Sequence, residues 1–283
     1  MKSYCIKTDN ERIIEYLLNK ISKLEFPNIY YCKKSFKIYE NVVMHYKDEY
    51  IDKFNNIVTT LIVDTIRTFF EERILKRIIN VNYFYFDEFE RNIIYDDCNE
   101  FLKQDDVEIN ETIFKQIKNY IKENKNIVLE GVVNFRINDY VKILDNIVDM
   151  AVNKYIIEKE YKEFINLLKI YVNTTGTKAD IMHLIYTNGE SILLDKDKNI
   201  VHIDKNISNT KYLSDISFSS NDIALNTLLS ILPKKLIIHI IDKEDEFINT
   251  LKLIFDDRIE ICKACNICKT FNIKNKFFKL NSR

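Results

Sequence analysis

The 283-residue chain holds 3 glycines and 2 prolines, far below ordinary globular usage, which leaves little material for flexible linkers or low-complexity disorder. Neither of the glycine-dependent phosphate-binding patterns, GxxxxGK[ST] and GxGxxG, occurs, and HExxH and GxSxG are also absent. No motif therefore indicates an enzyme. A surplus of charge is lacking as well: the net charge is -1, which gives no global attraction to nucleic acid or anionic membrane. The start, MKSYCIKTDNER, has no basic segment followed by an apolar core and a small-residue cleavage site, so no secretion signal is expected. The most apolar helical stretch, IVTTLIVDTIRTFF from Ile57, is broken by Asp64 and Arg67, whereas a membrane span needs about 20 apolar residues. A cytoplasmic protein without a membrane span is the expectation.

Hydrophobic residues make up 46% and charged residues 30% of the chain, a normal globular balance, and the length suits two cores better than one. The first segment alternates in type. MKSYCIKT reads as a strand, Asp9 as the cap of a helix with Ile13, Ile14, Leu17, Leu18, Ile21 and Leu24 on one stripe, and Pro27 as its end. Residues 29–46 read as a β-hairpin turning at Lys33-Lys34-Ser35. Helical periodicity then covers Ile51 to Ile79, Asp87 to Leu102, and Glu111 to Glu123 with Asn110 as cap, and an uninterrupted run follows from Asn138 to Val172.

Beyond Asn173 the pattern changes. ADIMHLIY, ESILLD and NIVHID read as a three-stranded meander, its first turn marked by Asn188-Gly189. Asp222 to Leu232 is helical, KLIIHII is a strand covered on both faces, Asp242 caps a helix over 243–255, and RIEIC is the last strand. Strand, helix, strand over 235–262 makes a parallel βαβ unit. The fold class is α+β: a mainly helical amino-terminal region (1–137) with a small β element, a carboxyl-terminal α/β domain (138–268) led by a long helix, and a basic tail (269–283).

The chemically pointed stretch is EICKACNICK, which spaces Cys262, Cys265 and Cys268 by three residues at the carboxyl edge of that parallel pair, where open α/β sheets place ligand sites. Six cysteines without an export signal favour metal or redox ligands over disulfides. Two intervening residues let the sulfurs turn onto one centre, as zinc requires, and the same spacing supplies three ligands in iron–sulfur proteins. Zinc or an iron–sulfur cluster is the candidate cofactor, with redox-active thiols or small packed hydrophobes as the alternatives. No fourth cysteine follows, so a closed site needs Cys5, Cys32, Cys98, a histidine, a carboxylate or another subunit. Asp242 and the amino end of its helix share that edge and form a candidate binding point. His183 and His239 lie inside strands, His239 facing with Ile237 and Ile241, and read as core imidazoles before ligands. His45 and His202 have no partner visible in the sequence, and Glu158 to Lys162 reads as a solvated helix face.

After Glu260 no acidic residue appears, and Lys263, Lys269, Lys274, Lys276, Lys279 and Arg283 make the end basic, a solubilising terminus or a route to nucleic acid. The order of helix, three strands, helix and strand over 138–241 also matches a restriction-endonuclease-like core, and with it a metal-dependent nuclease or other nucleic-acid enzyme as the rival reading. Asp180, Glu190, Asp195 and Lys196 lie in the right region, yet no (D/E)xK falls on the second or third strand.

Taken together, EGVVNFRINDY (Glu130 to Tyr140), EKEYKEFINLLK (Glu158 to Lys169), PKKLIIH (Pro233 to His239) and TLKLIFDDRIEICKACNIC (Thr250 to Cys268) resemble the YtxC family. This is a family of sporulation proteins of endospore-forming Firmicutes without an established activity. The resemblance covers most of the chain after about residue 125 and implies a cytoplasmic protein of a spore former; an unidentified protein partner is a further expectation. It also implies that the terminal cysteine knuckle and the segment around Glu130, Phe135 and Arg136 are family features. Arg136 is a candidate anion-binding residue, with structural pairing to a carboxylate the favoured role.

Overall fold

Tyr4, Ile6 and Thr8 alternate with Ser3, Cys5 and Lys7, and that period of two makes β1 (Lys2–Thr8) a strand with one buried face. The computed structural model describes residues 2–24, 29–46, 51–201, 219–262 and 264–271. The chain forms two compact units, Met1–Ile157 and Glu158–Arg283.

In the first unit β1 is an inner strand, between β3 and β4, of a sheet ordered β2-β3-β1-β4, with β2 (Ile29–Ser35), β3 (Glu40–Tyr46) and β4 (Asn126–Val128). β1 runs antiparallel to β3 and parallel to β4. α1 (Glu11–Ser22) buries Ile13, Ile14, Leu17 and Ile21, and its cap is Asn10 in place of the expected Asp9, because the Asn10 side chain accepts from the Arg12 N–H. Pro27 lies outside the described residues. The hairpin turns at 36–39, with Phe36 N–H donating to the Tyr39 carbonyl at 3.0 Å. Lys33, Lys34 and Ser35, the expected turn, remain strand because register with β3 continues to Ser35 and Glu40, whose side chains bond at 2.7 Å.

The single helical run expected from Ile51 is two helices, α2 (Ile51–Phe69) and α3 (Glu71–Asn82). Neither Gly nor Pro marks the break. It falls at the buried Phe70, where Arg67 pairs with Glu71 at 3.1 Å and the Tyr140 hydroxyl donates to the same carboxylate. α4 (Glu88–Gln104) starts from an Asp87–Glu90 capping box. α5 (Asp106–Glu123) begins a turn earlier than expected, so that Asn110 lies inside it and bonds Asp106 at 2.9 Å. Its buried face is Ile109, Ile113, Ile117 and Ile121, one residue per turn, each contributing about 1.5–3 kcal/mol of burial. α6 (Leu129–Phe135) follows β4 directly, and α7 (Asn138–Thr174) opens in this unit.

The second unit takes α7 from Glu158 onward, then β5 (Ala179–Thr187), β6 (Glu190–Leu194), α8 (Ser220–Ile231), β7 (Pro233–Ile240), α9 (Glu246–Phe255), a 3-10 turn (Asp256–Arg258) and β8 (Ile259–Cys262). Its sheet is ordered β6-β5-β7-β8. β5, β7 and β8 are parallel and β6 antiparallel, which includes the expected βαβ unit over β7, α9 and β8. Asn188 (φ 53) and Gly189 (φ 79) are both left-handed, as a tight two-residue hairpin requires. Of the third strand of the meander, Ile200 bridges Leu194 and Val201 N–H donates to the Leu193 carbonyl; residues 202–218 lie outside the described residues, His202 among them. One sheet face, with Met182, Leu184, Tyr186, Leu236 and Ile238, joins the core made with Ile165 and Val172 of α7, Leu228 of α8, and Ile248, Leu251 and Phe255 of α9. Alternation places His183, Ile185, Ile237, His239 and Cys262 on the other face.

Candidate metal centre

Cys262 is the last residue of β8, and the parallel register sets it opposite His239 on β7. The chain then turns through 264–265 into a short helical segment over 266–271, closed in part by Lys269 N–H donating to the Cys265 carbonyl at 3.1 Å. That turn brings Cys265 and Cys268 back over the sheet face that carries His239. His239 Nδ1 lies 3.4 Å from Cys265 Sγ and 3.4 Å from Cys268 Sγ. Cys268 Sγ lies 3.7 Å from Cys265 Sγ and 4.0 Å from Cys262 Sγ. All four ligand atoms fall within 4.8 Å of one another. His239 is 2% and Cys268 3% exposed, while Cys262 and Cys265 are partly exposed.

Tetrahedral zinc with bonds of about 2.3 Å to sulfur and about 2.05 Å to nitrogen sets sulfur–sulfur separations of about 3.8 Å and nitrogen–sulfur separations of about 3.6 Å. The four observed separations bracket the first and fall just below the second, and the other pairs lie within 4.8 Å. On the other side of the ring, His239 Nε2 is 3.0 Å from His183 Nδ1. Burial, then His183 and Lys198, holds the His239 imidazole below the usual histidine value. Burial and Lys198 do the same to His183, against the opposing effect of Asp195. Neutral imidazole is the form that ligates. Burial tends to raise the Cys265 thiol, but hydrogen bonds from the Cys268 backbone and from the thiols of Cys262 and Cys268 outweigh it and lower the group. Burial, then the Cys265 thiol, pushes Cys268 up.

The structure thus brings together the three cysteines singled out by spacing and supplies His239 as the fourth ligand-type side chain. The strand pattern reads His239 as a core imidazole before a ligand, and the structure makes it both buried and a neighbour of the sulfurs. The signal that finds it was present: once β7 and β8 are parallel neighbours, alignment of their carboxyl ends sets residue 239 beside 262. Cys5 on β1, Cys32 on β2 and Cys98 on α4 are not part of the group. Asp242 does not cap α9. Asp245 does, accepting from the N–H groups of Phe247 and Ile248, whereas Asp242 accepts from the Thr187 hydroxyl and the Asn188 N–H. Arg136 lies over the Tyr120 ring at 5.8 Å with no carboxylate partner among the described residues, and Glu130 instead accepts from Thr8 at 2.5 Å. Of the basic tail, Lys269 is exposed on the short helical segment, while residues 272–283 lie outside the described residues.

Two carboxylates of the nuclease reading, Asp195 and Asp180, are engaged elsewhere. Asp195 accepts from the N–H groups of Asp197 and Asn199 at 2.9 Å each, closing the turn after β6. Asp180 pairs with Lys234 at 2.7 Å, and Glu190 opens β6. Among the described residues, the His239 group is the one place where three or more metal-ligand side chains converge.

Fold and site together define an α+β protein with a His/Cys3 group able to hold a metal ion. The chain belongs to the YtxC-like family, whose model matches residues 56–260. That span contains His183 and His239 and stops short of Cys262. The chain is similar to the uncharacterized protein YtxC of Bacillus subtilis (strain 168), with 22% identity over 155 residues, 53% of each chain. It therefore spans about half the length of that curated relative. No solved structure matches the chain.

Proposed function

We propose that this protein is a non-enzymatic binding or structural factor of sporulation, working in the cytoplasm, whose second unit is completed by one zinc ion on His239, Cys262, Cys265 and Cys268. One observation carries the zinc reading: four ligand atoms within 4.8 Å of one another, at separations that suit a single tetrahedral ion. Four protein ligands leave no open coordination position, which is the mark of a structural site; catalytic zinc keeps one for water. In an iron–sulfur cluster each iron takes its own thiolate, so the ligand sulfurs spread around the cluster, and these are too close together for that. Family membership supports the link to sporulation, and six free cysteines suit a reducing compartment.

The test is metal analysis of the full chain purified without oxygen. One zinc per chain is expected in the wild type and none in the variant with Cys262, Cys265 and Cys268 changed to Ser. Sub-stoichiometric metal with all three thiols freely alkylated overturns the centre, and iron with acid-labile sulfide overturns zinc. The binding role is tested by capture from sporulating cells with the wild type and the triple variant. A protein retained only by the wild type supports it; identical captures oppose it.

A further inference from the structure

We propose that His183 is the positioning residue of this centre: it holds His239 in the Nε2–H tautomer, so that the Nδ1 lone pair faces the three sulfurs. The inference rests on the metal reading above and adds a residue to it. His239 Nε2 stands 3.0 Å from His183 Nδ1, and the two rings are 22° from parallel with centroids 5.3 Å apart. On the other side of the same ring, Nδ1 stands 3.4 Å from Cys265 Sγ and 3.4 Å from Cys268 Sγ. A neutral imidazole has one N–H, and the hydrogen bond made by one nitrogen decides which nitrogen is left to bind.

Two proton arrangements are open to the pair, and they have opposite consequences. If His183 Nδ1 donates, His239 carries its proton on Nδ1, pointed among the sulfurs, and cannot ligate. If His183 Nδ1 accepts, His239 Nε2 donates, and Nδ1 is free for the metal. The second is the arrangement in which a metal-bound histidine passes its remaining N–H to an acceptor, which also fixes the ring plane.

The sheet explains why His183 can serve. It sits on β5, opposite Ile237 of β7 and Leu194 of β6, so its backbone is bonded on both sides. It shares the sheet face of His239 and is two register positions from it, a diagonal reach for two imidazoles. The acceptor is therefore held by the interior of the sheet, while Cys262 ends the edge strand β8 and Cys265 and Cys268 come from the turn and segment after it.

The experiment uses the full chain and Co2+ as a spectroscopic probe, with Zn2+ affinity read by chelator competition. His183→Leu is expected to weaken zinc binding by about 10- to 100-fold, the usual cost of losing the hydrogen-bond partner of a ligating histidine. His183→Gln, whose amide oxygen can accept the same N–H, is expected to recover most of that loss. In the wild type, nitrogen NMR of labelled histidines in the zinc-loaded chain is expected to show His239 metallated at Nδ1 and protonated at Nε2. That measurement needs no variant and holds if His183→Leu fails to fold. Metal on Nε2, or His183→Leu affinity within about 2-fold of wild type against the expected drop, overturns the positioning role alone. No Co2+ charge-transfer band in the wild type overturns the metal centre itself.

Discussion

His239 on β7 and Cys262 on β8 are in register across two parallel strands, so a metal between their side chains ties the edge strand to its neighbour. β8 spans only Ile259–Cys262, and the turn beyond it carries the remaining ligands. On the proposed reading zinc is a folding ligand, and its binding would add stability by mass action, about 2.7 kcal/mol at a free concentration 100 times the dissociation constant. Zinc is expected to raise the thermal midpoint of the second unit in the wild type and to leave His239→Ala unchanged. Calorimetry of both proteins with and without chelator measures this, and equal shifts in both would remove His239 from the centre.

Thiol reactivity gives an independent reading. Cys32 is exposed, whereas Cys98 is buried in α4, and burial, then the Asp97 carboxylate, pushes its thiol up to about 12. At pH 8 about one Cys98 in ten thousand is thiolate, the reactive form. Iodoacetamide on the zinc-loaded protein is expected to label Cys32 first and Cys98 only on unfolding. Cys262, Cys265 and Cys268 join after chelation. Mass spectrometry of the labelled peptides gives the order, and rapid labelling of Cys265 in the zinc-loaded protein would contradict a ligand role for it.

Much of this fold is legible along the chain because its apolar spacing is regular. The run KLIIHII, the stripe Leu251, Ile254 and Phe255, and the short RIEIC lead directly to β7, α9 and β8, although the stripe begins at the buried Ile248 and not at Phe247 as the spacing suggests. The break between α2 and α3 is not legible, since no local breaker stands there; beside it are an i,i+4 pair of Arg67 with Glu71 and a tertiary bond from Tyr140 to Glu71. The hairpin turn misleads for a related reason: Phe36, Ile38 and Tyr39 have strand-forming side chains but lie exposed at the tip. Caps are displaced where several Asp or Asn residues compete, as Asn10 does with Asp9 and Asp245 with Asp242. At the site, three ligands are written at fixed spacing. The fourth and its supporter, His239 and His183, are distant in sequence and emerge only from strand order and register.

That competition between caps can be tested. Asp245 accepts from the first N–H groups of α9, while Asp242 holds the β5–β6 hairpin through Thr187 and Asn188. Asp245→Ala is expected to cost about 1 kcal/mol of stability, the usual value for a lost amino-terminal cap. Asp245→Asn, which keeps the accepting oxygen, is expected to lose less. Hydrogen exchange separates the two aspartates: Asp245→Ala deprotects the first turn of α9, and Asp242→Ala deprotects the Asn188 N–H. Fraying of α9 in Asp242→Ala alone would restore the simpler reading of the sequence.

Asp245 also accepts a hydrogen bond from the Tyr186 hydroxyl, and that pair makes stability depend on pH on the alkaline side. Burial, then the bond to Asp245, pushes Tyr186 up to about 12, above the ordinary tyrosine value of about 10. The folded state therefore keeps this proton more tightly than the unfolded state does. Its stabilisation is complete below a pH of about 10 and is lost as the pH rises through the folded value. Tyr186→Phe removes the proton and the bond together, so it is expected to be less stable than wild type at pH 8 by about 1 kcal/mol. Urea unfolding of both proteins at a series of pH values is expected to show the two curves converging above pH 10. No difference between the two proteins at pH 8 would mean that Tyr186 contributes through the packing of its ring against Phe247, which Phe retains, and not through its hydroxyl.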